Sequence, residues 1–142
     1  MGNNTNIGPF AYLRPGSVIG NDVKVGDFVE VKNSSVGDGT KASHLTYIGD
    51  SDVGENVNIG CGVIFVNYDG KEKHRSVVKS GSFVGCNVNL VSPVVVEEGA
   101  YVAAGTTVTR NVPKGALCVG RAREKNIEGW VARRGLLDKG NK

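Results

Sequence analysis

One histidine and two basic residues in the first third of the 142-residue chain offer the clearest chemistry. His44 stands in the polar stretch SHLTY, and an imidazole, whose ordinary pKa is near 6.5, suits a general base. A surface histidine without a role is the alternative. Arg14 and Lys32 are eighteen residues apart, and cations stacked at that interval repel unless an anion such as phosphate lies between them. Solvated side chains that splay apart would explain the same spacing.

The element that must position these residues is a repeat of six residues. Aliphatic side chains recur at this interval, at Ile7, Leu13, Ile19, Val25 and Val31, and later at Val78, Val84, Leu90, Val96, Val102 and Val108. A small or β-branched residue follows each by four positions, as Ser35 and Ser82 do. This period fits neither a helix nor an alternating strand, but it fits a solenoid of short strands and turns. It predicts an all-β fold, a parallel β-helix of hexapeptide repeats over 1–112, and a C-terminal tail over 113–142.

The repeat is interrupted once, by the polar and charged segment 66–77. Loops expelled from a regular scaffold often carry function. Asn67, Tyr68 and Lys73 in this loop are residue types that bind ligands, so we predict a functional loop. A tolerated surface insertion is the alternative.

Three hexads in each coil would place every third hexad on one face. The third residues of the hexads on the first face are Pro9, Asp27, His44, Cys61, Cys86 and Ala104. His44 therefore begins a column of small side chains that extends over roughly 15 Å at the spacing of neighbouring strands. A groove of that length would suit a pantetheine arm. A preference of turns for small residues is the alternative reading.

Composition limits the classes of partner. The formal net charge is only +3, which argues against a nucleic-acid-binding surface, and no stretch is apolar enough to span a membrane. Three cysteines without a C-x-x-C pair favour a reducing, cytoplasmic location. The chain has two histidines, so a three-histidine zinc site is excluded and we expect no metal.

Several motifs are longer than a generic hexad requires. They are GPFAYLRPGS, VGDFVEVKNS, KASHLTYIGD, NVNIGCG, VNYDGKEK, VGCNVNLVSPV and VAAGTTVTRNVP. Over nearly the whole chain they resemble the C-terminal half of the bifunctional bacterial glucosamine-1-phosphate acetyltransferase and N-acetylglucosamine-1-phosphate uridyltransferase. The resemblance implies a left-handed β-helix and a homotrimer whose active site forms where subunits meet.

The resemblance also implies roles for individual residues. It implies that His44 is the catalytic base and that the sugar-phosphate contacts are Arg14, Lys32, Tyr47, Asn58 and Lys73, with Glu30 in support. The implied contacts to acetyl-CoA, a co-substrate, are Cys61, Asn67, Tyr68, Cys86, Ala104 and Arg121.

The implied reaction moves acetyl from acetyl-CoA to the 2-amine of glucosamine 1-phosphate, in the cytoplasm, on the way to UDP-N-acetylglucosamine and the cell wall. The 142 residues contain no counterpart of the uridyltransferase half, so we expect no UDP-sugar synthesis. Some members have lysine where this chain has Ile127, and Lys125 or Arg123 is the expected replacement. Two alternatives stay open: another hexapeptide-repeat acetyltransferase, and a non-catalytic β-helix that only trimerises.

Overall fold

Eighteen short strands follow one another within residues 1–136. The computed structural model describes residues 1–136. Its strands are β1 (Asn6–Ile7), β2 (Tyr12–Leu13), β3 (Val18–Ile19), β4 (Lys24–Asp27), β5 (Glu30–Lys32), β6 (Ser35–Val36), β7 (Lys41–His44), β8 (Tyr47–Gly49), β9 (Ser51–Val53), β10 (Asn58–Ile59), β11 (Ile64–Val66), β12 (Ser76–Val78), β13 (Phe83–Val84), β14 (Asn89–Val91), β15 (Val95–Val96), β16 (Tyr101–Val102), β17 (Thr107–Val108) and β18 (Leu117–Cys118). A single helical turn, α1 (Trp130–Arg133), follows them.

Strands three apart in this order pair in parallel, so the chain winds around three sheets. The first sheet has the order β1-β4-β7-β10-β13-β16-β18, the second contains β2, β5, β8, β11, β14 and β17, and the third contains β3, β6, β9, β12 and β15. The all-β parallel β-helix predicted from the six-residue period is confirmed. Its architecture fits the left-handed form that the resemblance implies.

The register of the first sheet is the one that the hexad count predicts. The pairs are Ile7 with Val25, Val25 with Ala42, Ala42 with Ile59, Ile59 with Val84, and Val84 with Val102. These side chains point into the helix, and from Val25 onward they are buried. Each coil buries its apolar face only by stacking on its neighbours, which explains why the period persists.

The corners of the coils are crowded and hold small or β-branched residues. Thr40 is a good example, because its Oγ1 donates to Gly54 O at 2.7 Å and accepts from Val57 N at 3.0 Å. The sequence analysis assigned Ser35 to such a corner, and this assignment is wrong. Ser34 is the buried corner residue and Ser35 points outward toward Asp52, because the hexad period loses one residue at this point.

Between β11 and β12 the chain leaves the coil and forms a small hairpin. Tyr68 and Lys73 form an antiparallel bridge. The carboxylate of Asp69 accepts hydrogen bonds from the backbone N–H groups of Lys71 and Glu72, at 2.8 and 2.6 Å, and lies 2.7 Å from Nε2 of His74. These bonds give the loop a defined shape and lower the pKa of Asp69.

The solenoid ends at β18, which pairs with β16. The residues after it up to 136 are exposed, including α1. The last six residues of the predicted tail, 137–142, lie outside the described part of the chain. Within residues 1–136, no helix has the length and apolar character needed to cross a bilayer.

Candidate active site

Arg14 and Lys32 lie side by side at one edge of the second sheet. Leu13 pairs with Val31, so Arg14 and Lys32, which follow them, occupy matching positions in adjacent coils. Nη1 of Arg14 donates to Oε1 of Glu30 at 2.9 Å, and this hydrogen bond raises the pKa of Arg14. The stacking of two cations predicted from their spacing is therefore present, with a carboxylate beside the first.

Lys32 has two charged neighbours of opposite sign. The Lys73 amine, brought over by the hairpin loop, lies close to that of Lys32, and this proximity raises the pKa of Lys32 and lowers that of Lys73. On the other side, Nζ of Lys32 lies 3.3 Å from Oδ2 of Asp50. Two ammonium groups this close repel each other, so the edge favours an anion.

Tyr47 and Asn67 complete this edge of the second sheet. Nδ2 of Asn67 donates to the Tyr47 hydroxyl oxygen at 3.2 Å and to Oδ2 of Asp50 at 2.5 Å. Asn67 is 7% exposed, and both of its amide hydrogens are used in these bonds. We call Arg14, Lys32, Tyr47, Asn67 and Lys73 the cation edge.

Three further residues next to the cation edge were not identified from the sequence, namely Asn33, Gly49 and Asp50. Asn33 donates from Nδ2 to Oδ1 of Asp50 at 2.7 Å. Gly49 pairs with Lys32 and lies beneath the phenol of Tyr47. A signal existed, because Asn33, Asp50 and Asn67 follow one another at intervals of 17 residues, one coil each.

His44 ends β7 at the corner before the second sheet, and its side chain is exposed. Its register neighbour in the preceding coil is Asp27. The imidazole makes no hydrogen bond to any described residue. His44 precedes the strands of the second sheet, whereas Lys32 ends one of them, β5.

The small residues predicted to follow His44 do form one column along the helix axis. Asn87 N donates to Cys61 O and Gly105 N donates to Cys86 O, both across adjacent coils. Beyond them, Nη1 of Arg121 donates to Ala104 O at 2.7 Å. We call Cys61, Cys86 and Ala104, together with His44 and Arg121 at the two ends, the small-residue column.

The remaining predicted residues lie outside these two groups. Asn58 is in β10, on the coil that carries Cys61. Tyr68 is exposed in the hairpin loop, where its hydroxyl donates to Gly70 O at 2.7 Å. Arg123, Lys125 and Ile127 are exposed in the segment after β18. The structure therefore brings the cation edge together within one chain and leaves the small-residue column separate from it.

Comparison with known proteins identifies the repeat and the relatives. Residues 1–33 match the family model described as bacterial transferase hexapeptide (six repeats). The chain is similar to the bifunctional protein GlmU of Alkaliphilus metalliredigens, at 63% identity over 92% of this chain, of Clostridioides difficile, at 60% over 97%, and of Clostridium acetobutylicum, at 58% over 96%. It spans only 28–30% of the length of these relatives. The resemblance drawn from the motifs is confirmed, and the matched region is the C-terminal hexapeptide-repeat region.

Solved structures with the same fold include acetyltransferases. PerB from Caulobacter crescentus, in complex with CoA and GDP-perosamine, matches 80% of this chain with a TM-score of 0.71 and 21% identity; the match covers 52% of PerB. The acetyltransferase domain of PglB from Neisseria gonorrhoeae, in complex with acetyl coenzyme A, matches 80% with a TM-score of 0.71 and 20% identity; the match covers 53% of that domain. At this identity the likeness concerns the fold.

Proposed function

We propose that this chain, whose relatives at 58–63% identity are GlmU proteins, transfers acetyl from acetyl-CoA to the 2-amine of glucosamine 1-phosphate. The products are N-acetylglucosamine 1-phosphate and CoA. The observation that carries the proposal is the pair of close ammonium groups on Lys32 and Lys73, with Arg14 in the adjacent coil. This arrangement favours an anion, and a sugar phosphate supplies one.

The cation edge would bind the phosphate and orient the sugar. Arg14 is already paired with Glu30, and Asp50 offsets part of the charge of Lys32. Lys73 has no carboxylate within ion-pair distance in residues 1–136, so its charge remains for the ligand. Lys32 lowers the pKa of Lys73, and a bound phosphate would raise it again.

His44 would act as the general base. Attack on a thioester requires a neutral amine, and the exposed imidazole can take the proton that the amine loses as the new bond forms. Backbone N–H groups would stabilise the tetrahedral oxyanion. We do not assign this role to the Asn67 side chain, because both of its amide hydrogens are already donated to protein oxygens.

The small-residue column would hold the coenzyme. Small side chains in successive coils leave a shallow groove along the axis, and Arg121 at its far end offers a cation for the nucleotide phosphates. With the thioester beside His44, the pantetheine arm would pass Cys61 and Cys86 toward Ala104. Tyr68 and the exposed segment that contains Lys125 are further candidates for coenzyme contacts.

The proposal includes a homotrimer. Within one chain, His44 precedes the second sheet, whereas Lys32 ends one of its strands. Packing of three helices would bring His44 of one subunit close to the cation edge of another. Three apolar residues are exposed at the corner beside His44, namely Phe10, Phe28 and Leu45. They are suitable for such an interface.

We further infer a cytoplasmic enzyme that feeds UDP-N-acetylglucosamine and cell-wall synthesis. The three free cysteines, Cys61, Cys86 and Cys118, suit a reducing compartment. The uridyltransferase reaction of the bifunctional family is no part of the proposal for these 142 residues.

Release of the CoA thiol tests the proposal, on protein whose mass is first measured by light scattering. Acetyl-CoA is combined with glucosamine 1-phosphate, with glucosamine, or with a different amino sugar. Turnover that requires the 1-phosphate supports the proposed substrate. Preference for another amine would identify a different hexapeptide-repeat acetyltransferase, and no turnover by a trimer with any amine would leave the non-catalytic β-helix.

A further inference from the structure

A ladder of three polar side chains runs along the corner that follows the second sheet. It consists of Asn33, Asp50 and Asn67, one in each of three successive coils. Both asparagine amides donate to the same carboxylate, Asn33 to Oδ1 at 2.7 Å and Asn67 to Oδ2 at 2.5 Å. Since an ionised carboxylate only accepts, it fixes which end of each amide faces it.

Asp50, the middle of the ladder, is buried and fully engaged. It is 7% exposed, and Nζ of Lys32 lies 3.4 and 3.3 Å from its two oxygens. Burial raises the pKa of Asp50, but the hydrogen bonds from Asn33 and Asn67 and the nearby Lys32 outweigh this effect, so the pKa falls below 3.8. The carboxylate is therefore charged throughout the neutral range.

Two of its partners belong to different halves of the proposed site. Lys32 is a proposed phosphate contact, whereas Asn67, although it belongs to the cation edge and donates to Tyr47, is a coenzyme contact by the resemblance. Asp50 itself accepts from protein donors at both of its oxygens. A single buried anion thus sets the direction of the Lys32 ammonium and of the Asn67 amide, and leaves Oδ1 of Asn67 free to face a ligand.

We propose that Asp50 is a positioning residue, which holds Lys32 and Asn67 in the orientations that bind the sugar phosphate and the coenzyme. This inference rests on the proposed function. It extends that function to a residue that touches neither ligand and acts through two that do.

Asp50→Asn is the direct test, because it keeps the shape and removes the charge. One of the two neighbouring amides then faces an N–H group instead of an oxygen, and Lys32 loses its counter-ion. We expect the Kd for glucosamine 1-phosphate, measured by calorimetry, to rise about tenfold, and kcat/KM for both substrates to fall by at least as much. A Kd and kcat/KM within twofold of wild type would overturn the inference.

A pH profile distinguishes positioning from loss of stability. The negative charge of Asp50 raises the pKa of Lys73, against the lowering by Lys32. Without that charge the Lys73 pKa falls further, so the loss of phosphate binding at alkaline pH should begin at a lower pH. A variant that is merely less stable would keep the wild-type pH profile.

Asp38→Asn is the matched control. Asp38 accepts hydrogen bonds from the backbone N and Nδ2 of Asn21 across adjacent coils, at 2.7 and 3.2 Å, at a different corner. Its loss removes a comparable Asp–Asn pairing far from the cation edge. We expect unchanged Kd and pH profile, and a shift equal to that of Asp50→Asn would overturn the inference.

Asp50→Glu keeps the test decisive if Asp50→Asn does not fold. The charge is retained, so the pH profile should match wild type, while the extra methylene displaces Lys32 and Asn67 and weakens binding about fivefold. An unchanged Kd would contradict positioning.

Wild-type protein that binds glucosamine 1-phosphate without turnover would refute the proposed reaction, but its binding would still allow the role of Asp50 to be tested. Wild-type protein that neither binds nor reacts would refute both the proposed function and this inference.

Discussion

The phenol ring of Tyr47 occupies the space that a side chain would fill at Gly49, two residues further along the same strand. A methyl group at Gly49 would meet the hydroxyl oxygen, Cζ and Cε1 of the ring at less than contact distance. The absence of a side chain at Gly49 thus allows the ring to lean toward Asn67, whose Nδ2 donates to its hydroxyl oxygen.

Gly49→Ala should therefore displace the Tyr47 ring while leaving the coil intact, because the obstructing atoms are at the far end of one side chain. We expect the KM for glucosamine 1-phosphate to rise about tenfold, as the ring loses its place at the cation edge. Steady-state kinetics measure the effect. In a Tyr47→Ala background the same substitution should change KM little, since the ring is absent, and additive effects of the two changes would contradict this account.

Lys73 should make ligand binding depend on pH. Lys32 lowers the pKa of Lys73 in the free protein, and a bound phosphate dianion would raise it again. Binding therefore takes up protons near the Lys73 pKa and weakens as the pH rises above it. The product, N-acetylglucosamine 1-phosphate, is the suitable probe, because it lacks a titrating amine and its phosphate is fully ionised well above pH 6.

Calorimetry of product binding in buffers of different ionisation enthalpy would count those protons. Lys73→Arg should abolish the alkaline loss of affinity, since a guanidinium stays charged across the accessible range. An identical pH dependence in the wild-type and Lys73→Arg proteins would show that Lys73 is not the titrating group.

Ala104 tests the proposed coenzyme groove. A leucine at this exposed position in the small-residue column would fill the space left for the pantetheine arm, so the KM for acetyl-CoA should rise at least tenfold while the KM for glucosamine 1-phosphate stays within about twofold. Thr107→Leu, which adds a similar bulk on the outer face of the second sheet, is the control. Equal effects of the two substitutions on the KM for acetyl-CoA would place the coenzyme elsewhere.

The repeat made much of the fold predictable from the sequence. Ile7, Val25 and Ala42 could be assigned to one face because each coil must place an aliphatic side chain inward, and the register confirms it. The column from His44 through Cys61 to Ala104 followed from the same count. Ser35 was misassigned because the period shifts by one residue there, and the period alone does not say which residue is displaced.

The hydrogen-bond networks between side chains were harder to predict from the sequence. Arg14 and Lys32 were recognisable as a stacked pair, but their partners were not, because a hydrogen bond depends on rotamers and on the path of the loop. Asp50 was missed although it lies 17 residues from both Asn33 and Asn67. It is the third residue of its hexad, as His44 is, but the count of third residues was followed along the first face only. The position of Lys73 beside Lys32 depends on the hairpin, which the repeat does not specify.

The central claim is that His44 removes a proton from the amine during acetyl transfer. The most direct test is kcat for CoA thiol release by His44→Asn, measured on protein with the same mass in solution as the wild type. We predict a fall of at least about a hundredfold, with both KM values within threefold and partial rescue by added imidazole. A His44→Asn trimer that retains wild-type kcat would contradict the account.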